Sequence, residues 1–164
     1  MQRAVTAIYR THQTAALVRN ELDTLGVPRG YIHMIPETED RLPEGSSRDV
    51  GPYNQEIHDL HLPEDDTRTY QQAVKNGDYI VSVDVEDNAD LDRIKDIMRR
   101  PEDSRDIDAL DTEYAGAEYI PFRHSDAPPY TEGQRGVRDP GSPGERGHLR
   151  GYTRSEPMRD RTRD

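Results

Sequence analysis

The sequence predicts an α/β (α+β) protein: a ferredoxin-like sandwich of two β-α-β units with an extra short helix pair, followed by an extended or disordered C-terminal tail. Nearly all valines, isoleucines and leucines of this 164-residue chain lie before residue 111, where they recur at strand and helix spacings. The remainder is rich in glycine, proline and arginine, a composition that cannot bury enough apolar surface to fold alone. We therefore divide the chain into a ferredoxin-like domain, residues 1–113, and a polar tail, residues 114–164.

The first β-α-β unit lies at the N-terminus. Residues 4–9 and 31–35 are apolar runs of strand length, and Pro36 ends the second run. Between them Thr11 can cap a helix that Gly26 and Pro28 end. The apolar residues of that helix recur at helical spacing: Ala15, Val18, Leu22 and Leu25.

The second unit follows a polar loop, residues 37–52, and the short helix pair. One short helix carries Tyr53, Ile57 and Leu60, and the other carries Tyr70, Ala73 and Val74 and ends at Gly77. Residues 79–85 form the strongest predicted strand. Asp87 then caps a helix with Leu91, Ile94 and Met98, which Pro101 closes, and residues 106–109 are a short last strand.

A weak internal repeat supports the two-unit arrangement. At an offset of 76 residues, the apolar positions of the first strand and helix align with those of residues 81–98. Two such units, each exposing one apolar helix face, would pack side by side on one sheet. Chance alignment of two amphipathic β-α units is the alternative.

The repeat also assigns the two faces of the sheet. If Val81, Val83 and Val85 face the helices, the other face is either solvated or a contact surface that could form a homodimer. The candidate contact residues on that open face, beside Thr6, are Ile8, Arg10, Ile80, Ser82 and Asp84.

Composition excludes several classes of function. The net charge of −11 argues against nucleic-acid binding, which depends on neutralising phosphates. The absence of cysteine excludes disulfides and thiolate sites and favours a cytoplasmic location. The first 120 residues carry 26 acids against 13 bases, whereas the last 44 carry 7 acids against 9 arginines. The chain therefore has an acidic body and a mildly basic tail.

No motif predicts a catalytic, cofactor or metal site. His58 and His61 have helical spacing, but Pro63 follows closely, so we interpret both as solvated histidines rather than metal ligands. The acidic run from Asp84 to Asp90 has Ala89 and Lys95 where a calcium loop needs glycine and glutamate. No glycine-rich phosphate loop follows a strand, and no serine lies in a nucleophile elbow. We expect a protein that is not an enzyme.

The body also resembles the general stress protein 17M-like (heat-induced stress protein) domain family over about residues 4–112. The similar segments are Leu25-Gly26-Val27-Pro28, Leu62-Pro63-Glu64-Asp65-Asp66, the positions of Tyr70, Val74 and Gly77, Ile80-Val81-Ser82-Val83, the helix from Ala89 to Met98 and Asp106-Ile107-Asp108. The resemblance implies a fold and a non-catalytic role, with sensing of a small molecule as the alternative function.

The tail is where we expect function. Aromatic and arginine side chains are typical interface anchors, and an extended segment can wrap a surface. We expect a structural subunit whose tail docks on a larger protein assembly, at the cytoplasmic face of a membrane complex or on an anionic membrane surface. The predicted tail contacts are Tyr119, Phe122, Arg123, Tyr130, Arg135, Arg138, Arg146, Arg150, Tyr152 and Arg154.

Overall fold

An antiparallel sheet organises the computed structural model, which describes residues 2–37, 51–60, 62–85, 91–117, 137–138 and 149–154. The strand order is β2-β3-β1-β5, and the two-residue β4 pairs beyond β5. The strands are β1 (Gln2–Tyr9), β2 (Ile32–Ile35), β3 (Tyr79–Val85), β4 (Val137–Arg138) and β5 (Arg150–Arg154). The fold class is therefore α+β.

Five α-helices accompany the sheet in the described part of the chain. They are α1 (His12–Leu25), α2 (Gly51–His58), α3 (Glu64–Lys75), α4 (Leu91–Arg99) and α5 (Ile107–Glu113), and a 3-10 turn spans Arg29–Tyr31. The first four match helices that the apolar spacing predicts. None of the helices in the described ranges is long and apolar enough to cross a membrane.

Helices α1 and α4 cover one face of the sheet. The alternating residues Val81, Val83 and Val85 point into this layer, where they pack with Val18 and Leu22 of α1. On β1, Val5 is the register partner of Val83, and Ala7 is the register partner of Val81. The predicted facing of the β3 valines is therefore confirmed.

The ends of α1 are set by local chemistry. The Thr11 hydroxyl accepts a hydrogen bond from the Thr14 backbone N–H at 3.2 Å, as an N-cap does. Gly26 then takes a left-handed conformation with φ +113° and donates its N–H to carbonyls of the last turn. Both predicted helix ends are confirmed.

The opposite face of the sheet is not open. Helices α2, α3 and α5 cover it, and Ile8 and Ile80 are fully buried against them. Ser82 and Asp84 are also buried, at 1% and 8% exposure, whereas Arg10 is exposed beyond the end of β1. The prediction of a solvated or dimer-forming face is wrong for these four strand residues, because the short helices fold back over them.

The predicted strand at residues 106–109 is wrong, because this segment begins helix α5. The Asp106 carboxylate accepts a hydrogen bond from the Ala109 backbone N–H at 3.2 Å, which is an N-cap contact. Ile107, Leu110 and Tyr114 then fall on the buried side of the helix. Helical spacing was present in the sequence, but the segment is too short for it to stand out.

The predicted boundary at residue 113 does not separate sheet from tail. β5 pairs with β1 from Thr6 opposite Arg150 to Gln2 opposite Arg154, so residues 150–154 complete the sheet of the body. Tyr152 is fully buried and Arg150 is 5% exposed. These two residues anchor the chain internally, which corrects their prediction as partner contacts.

Candidate functional site

A row of polar side chains crosses the sheet on the face that α2, α3 and α5 cover. His33 of β2 lies opposite Ser82 of β3, Ser82 opposite Thr6 of β1, and Thr6 opposite Arg150 of β5. Because alternate residues of a strand share a face, Asp84 and Tyr152 lie one step along the same face. We call these six residues the polar band. It is the candidate functional site.

The centre of the polar band is closed. The hydroxyls of Thr6 and Ser82 lie 3.1 Å apart and are hydrogen-bonded, and both residues are at most 1% exposed. A buried hydroxyl that already has a partner cannot attack a substrate. Ser82 therefore provides no accessible nucleophile beside His33, which argues against serine catalysis at this position.

One end of the band is an ion cluster around Arg150. Its guanidinium donates to Asp108 at 2.6 Å, forms an ion pair with Asp111 at 2.8 Å, and lies 3.8 Å from Asp66. The Arg150 and Asp66 side chains are only 4% and 2% exposed. A charge buried this deeply must be paired, so this cluster holds β5 to α3 and α5 rather than presenting charge to a ligand.

Two tyrosines complete the Arg150 cluster. The Tyr152 hydroxyl donates to Asp66 at 2.6 Å and lies 2.9 Å from the Tyr70 hydroxyl. Burial is the largest cause that raises the pKa of both phenols, and the nearby Asp66 raises it further. Both side chains therefore stay neutral and serve as hydrogen-bonding groups.

The other end of the band reaches the surface. The imidazole Nε2 of His33 lies 2.8 Å from a carboxylate oxygen of Asp84, and the His33 side chain is 35% exposed. Glu56 of α2 is close enough for His33 to lower its pKa, although burial, Glu37 and Asp59 give a net rise. An oriented imidazole beside carboxylates can bind a polar ligand or exchange a proton with one.

A second polar contact joins α2 to α3. The Gln71 amide donates to the Asn54 side-chain oxygen at 2.9 Å and lies 3.4 Å from the His58 ring. His58 is only 6% exposed. The interpretation of His58 as solvated is wrong, because α3 packs over it, and His61 lies outside the described residues.

The described residues hold no group of three or more histidine, cysteine, aspartate or glutamate side chains placed to bind a metal ion. Residues 86–90, which include the predicted cap Asp87 and most of the acidic run, lie outside the described part. Asp84, at the start of that run, is bonded to His33 instead.

Most predicted tail contacts lie outside the described residues: Tyr119, Phe122, Arg123, Tyr130, Arg135 and Arg146. Arg138 lies in β4 and Arg154 in β5, and the structure describes the backbone of these two residues. Sequence reasoning did not predict His33, Asp66, Asp108 or Asp111 as site residues, although Asp66 and Asp108 lie in segments of the family resemblance. No local signal could have found the pairing of Asp66 with Arg150, because these residues are far apart in the chain.

Within the described residues, the fold and the polar band thus define an α+β protein with a buried polar layer and a histidine–carboxylate pair in which His33 is partly exposed and Asp84 is buried. None of the protein-family models, curated proteins or solved structures with which the chain was compared matches it.

Proposed function

We propose that the chain is a non-catalytic interaction protein, a peripheral subunit whose C-terminal segment contacts a larger assembly. The observation that carries the proposal is the burial of β5 through the Arg150 cluster. The described residues lie in the body up to Ala117 and again in the sheet at β4 and β5. The segment from α5 to β5 is therefore tethered at both ends and at β4, which lowers the entropy that it loses on binding.

The composition of the tethered segment supports a binding role. Between Ala117 and Leu149 the sequence carries Tyr119, Phe122, Tyr130 and four arginines, side chains that are common at interface cores. The acidic body would repel an acidic partner, so the arginines are the groups that would contact an acidic protein surface or anionic lipid headgroups. The closed hydroxyl pair of Thr6 and Ser82 supports a non-catalytic role.

The test uses full-length variants, because removing β5 would disturb the sheet. One variant combines Tyr119→Ser, Phe122→Ser and Tyr130→Ser, and a second combines Arg123→Gln, Arg135→Gln and Arg146→Gln. Both should lose co-purification with the native assembly while melting like the wild type, and wild-type binding should weaken as salt rises. The charge control is Arg10→Gln with Arg93→Gln, two exposed arginines of the body.

Co-purification of both triple variants at the wild-type level would refute the proposal. A membrane partner is distinguished by flotation with vesicles of phosphatidylcholine, with and without phosphatidylserine. Binding only to the anionic vesicles, lost in the arginine variant, would identify the lipid surface as the partner. The cysteine-free composition supports the cytoplasm as the location.

The order of the elements supports a ferredoxin-like assignment as part of this proposal. Elements β1-α1-β2-β3-α4-β5 follow the order of two β-α-β units, and α1 and α4 share one face of the sheet. Helices α2, α3 and α5 are then additions on the other face. The resemblance to the general stress protein 17M-like family agrees with such a fold and with a non-catalytic role.

Sensing of a small molecule is the second candidate function, and the partly exposed pair of His33 and Asp84 favours it. Polar metabolites that raise the melting temperature of the wild type should lose this effect in His33→Gln. The control variant Arg93→Gln, at an exposed residue of α4 on the other side of the sheet, should respond like the wild type. A response that survives His33→Gln would exclude this site.

A further inference from the structure

We propose that a pocket between α1 and the edge strand β2 binds a small oxyanion, a carboxylate or a phosphate. The pocket has a volume of about 250 Å³ and is lined by Arg19, Arg29, Gly30, Ile32, Met34 and Glu37. It lies on the α1 side of the sheet, whereas the polar band lies on the opposite face. This inference is independent of the proposed role of the C-terminal segment.

Two arginines in the pocket have unused hydrogen-bonding capacity. The side chain of Arg19 is 20% exposed, and its Nε atom is buried and has no hydrogen-bond partner among the described residues. Arg29 is exposed on the 3-10 turn and forms no ion pair within the same described ranges. In a chain of net charge −11, two arginines that line one pocket, with only the distant contact of Glu37 to Arg19 at 3.7 Å between opposite charges there, point to an anionic ligand.

The one acid among the described residues that line the pocket does not neutralise Arg19 tightly. Glu37 lies 3.7 Å from the Arg19 Nη1, which is too long for a hydrogen bond, and its side chain is 74% exposed. Its backbone carbonyl is held by the His12 ring at 3.0 Å, but its carboxylate is at the surface. An incoming anion can therefore displace the carboxylate into solvent and take its place beside the guanidinium.

The pocket also limits the ligand's size and shape. Guanidinium groups bind carboxylates and phosphates through paired, charge-assisted hydrogen bonds. Ile32 and Met34 give the pocket an apolar wall, which suits a short hydrocarbon group on the anion. The volume lies below the roughly 300–1,000 Å³ that is typical of sites for drug-sized ligands. A short-chain carboxylate or a small phosphate fits best.

The experiment titrates the full-length protein with butyrate, its uncharged analogue butyramide, and inorganic phosphate at constant ionic strength, followed by amide NMR. Butyrate or phosphate should bind saturably and shift the amide signals of Gly30 and Met34, whereas butyramide should not bind. Whichever anion binds more tightly identifies the ligand as a carboxylate or a phosphate. The proposed site is contradicted if neither anion binds saturably, or if the amide shifts occur in residues away from the pocket.

Three variants test the assigned residues. Arg29→Gln, which removes an exposed charge, should weaken binding by about tenfold or more, the equivalent of one charge-assisted hydrogen bond. Glu37→Gln should strengthen binding, because it removes the competing carboxylate. The matched control Arg93→Gln, an exposed arginine of α4, should bind like the wild type. Equal binding in Arg29→Gln and Arg93→Gln would overturn the proposal.

Discussion

At the scale of single residues, Arg150 joins the last strand to two helices of the body. Its guanidinium forms ion pairs with three carboxylates, Asp66, Asp108 and Asp111, and its side chain is 4% exposed. Taking such charges out of water is costly, and only their mutual pairing offsets the cost. The contribution of Arg150 to stability is therefore measured best in a variant that lacks its guanidinium but keeps the three carboxylates.

Replacing Arg150→Met should lower the free energy of unfolding by about 3–5 kcal/mol, because it leaves buried Asp66 without its cation. Urea denaturation of the full-length protein measures the change. Arg93→Met, on the exposed face of α4, is the control and should unfold like the wild type. A loss below about 1 kcal/mol, the size of one ordinary hydrogen bond, would show that the ion cluster does not anchor β5.

The buried tyrosines predict a loss of stability in alkali. Burial raises the pKa of Tyr9, Tyr70 and Tyr152 above the ordinary value of 10.0. The native state therefore keeps protons that the unfolded chain releases. The stabilisation is complete below the unfolded pKa and decreases as pH rises above about 10, by about 1.4 kcal/mol per pH unit for each tyrosine.

Urea midpoints measured at successive pH values should decrease in this window, and the decrease should be shallower in Tyr70→Phe. Tyrosinate absorbance from Tyr9, Tyr70 and Tyr152 should appear together with unfolding. If their tyrosinate signal rises while the protein is still folded, the phenols titrate in the native state and their burial is wrongly assigned.

At the scale of elements, the ends of the helices depend on a few residues. α1 ends at Gly26, whose φ of +113° is a conformation that side chains with a Cβ rarely adopt. No atom would lie within 4 Å of an added Cβ there. Any cost of substitution therefore comes from the backbone and not from crowding.

Gly26→Ala should destabilise the protein by about 1–2 kcal/mol, the cost of placing an L-residue in the left-handed region. Gly30→Ala is the matched control, because an added Cβ also meets open space there and no positive φ is required. It should be neutral or slightly stabilising, since alanine has less conformational entropy to lose. Equal thermal melting of the two variants would contradict the role assigned to Gly26.

At the scale of the whole molecule, helices cover both faces of the sheet and β5 covers one edge of β1. Within the described residues, one layer contains α1 and α4 and the other contains α2, α3 and α5. Without β5, the edge of β1 would lose its hydrogen-bonding partner and Asp66 would lose both Arg150 and Tyr152. The body is therefore not independent of residues beyond 113.

Residues 1–117 alone should melt at a much lower temperature than the full chain or lose their cooperative transition, because they lack β5. Residues 1–154, which keep β5, should melt like the full chain. Circular dichroism on heating measures both. If residues 1–117 melt like the full chain, the sheet does not need its C-terminal strand, and the division at residue 113 describes the molecule better.

The sequence by itself determined the elements whose apolar spacing is regular. β1, α1, β2, β3 and α4 and the facing of the β3 valines were all predictable, because burial on one face imposes a period that can be read along the chain. The ends of α1 were also predictable from Thr11 and Gly26, since capping depends on residues that are close in sequence.

Only the tertiary structure decided what covers the second face of the sheet and which strand residues 150–154 pair with. Several contacts join residues of different elements. Asp66 pairs with Arg150, Thr6 is the register partner of Arg150, and Arg19 and Arg29 line the same pocket beside β2. Gly/Pro/Arg composition predicts an extended tail when a segment is considered alone. A strand such as β5 becomes stable only when the edge of β1 supplies hydrogen bonds and buried carboxylates supply countercharge, and neither can be read from local sequence.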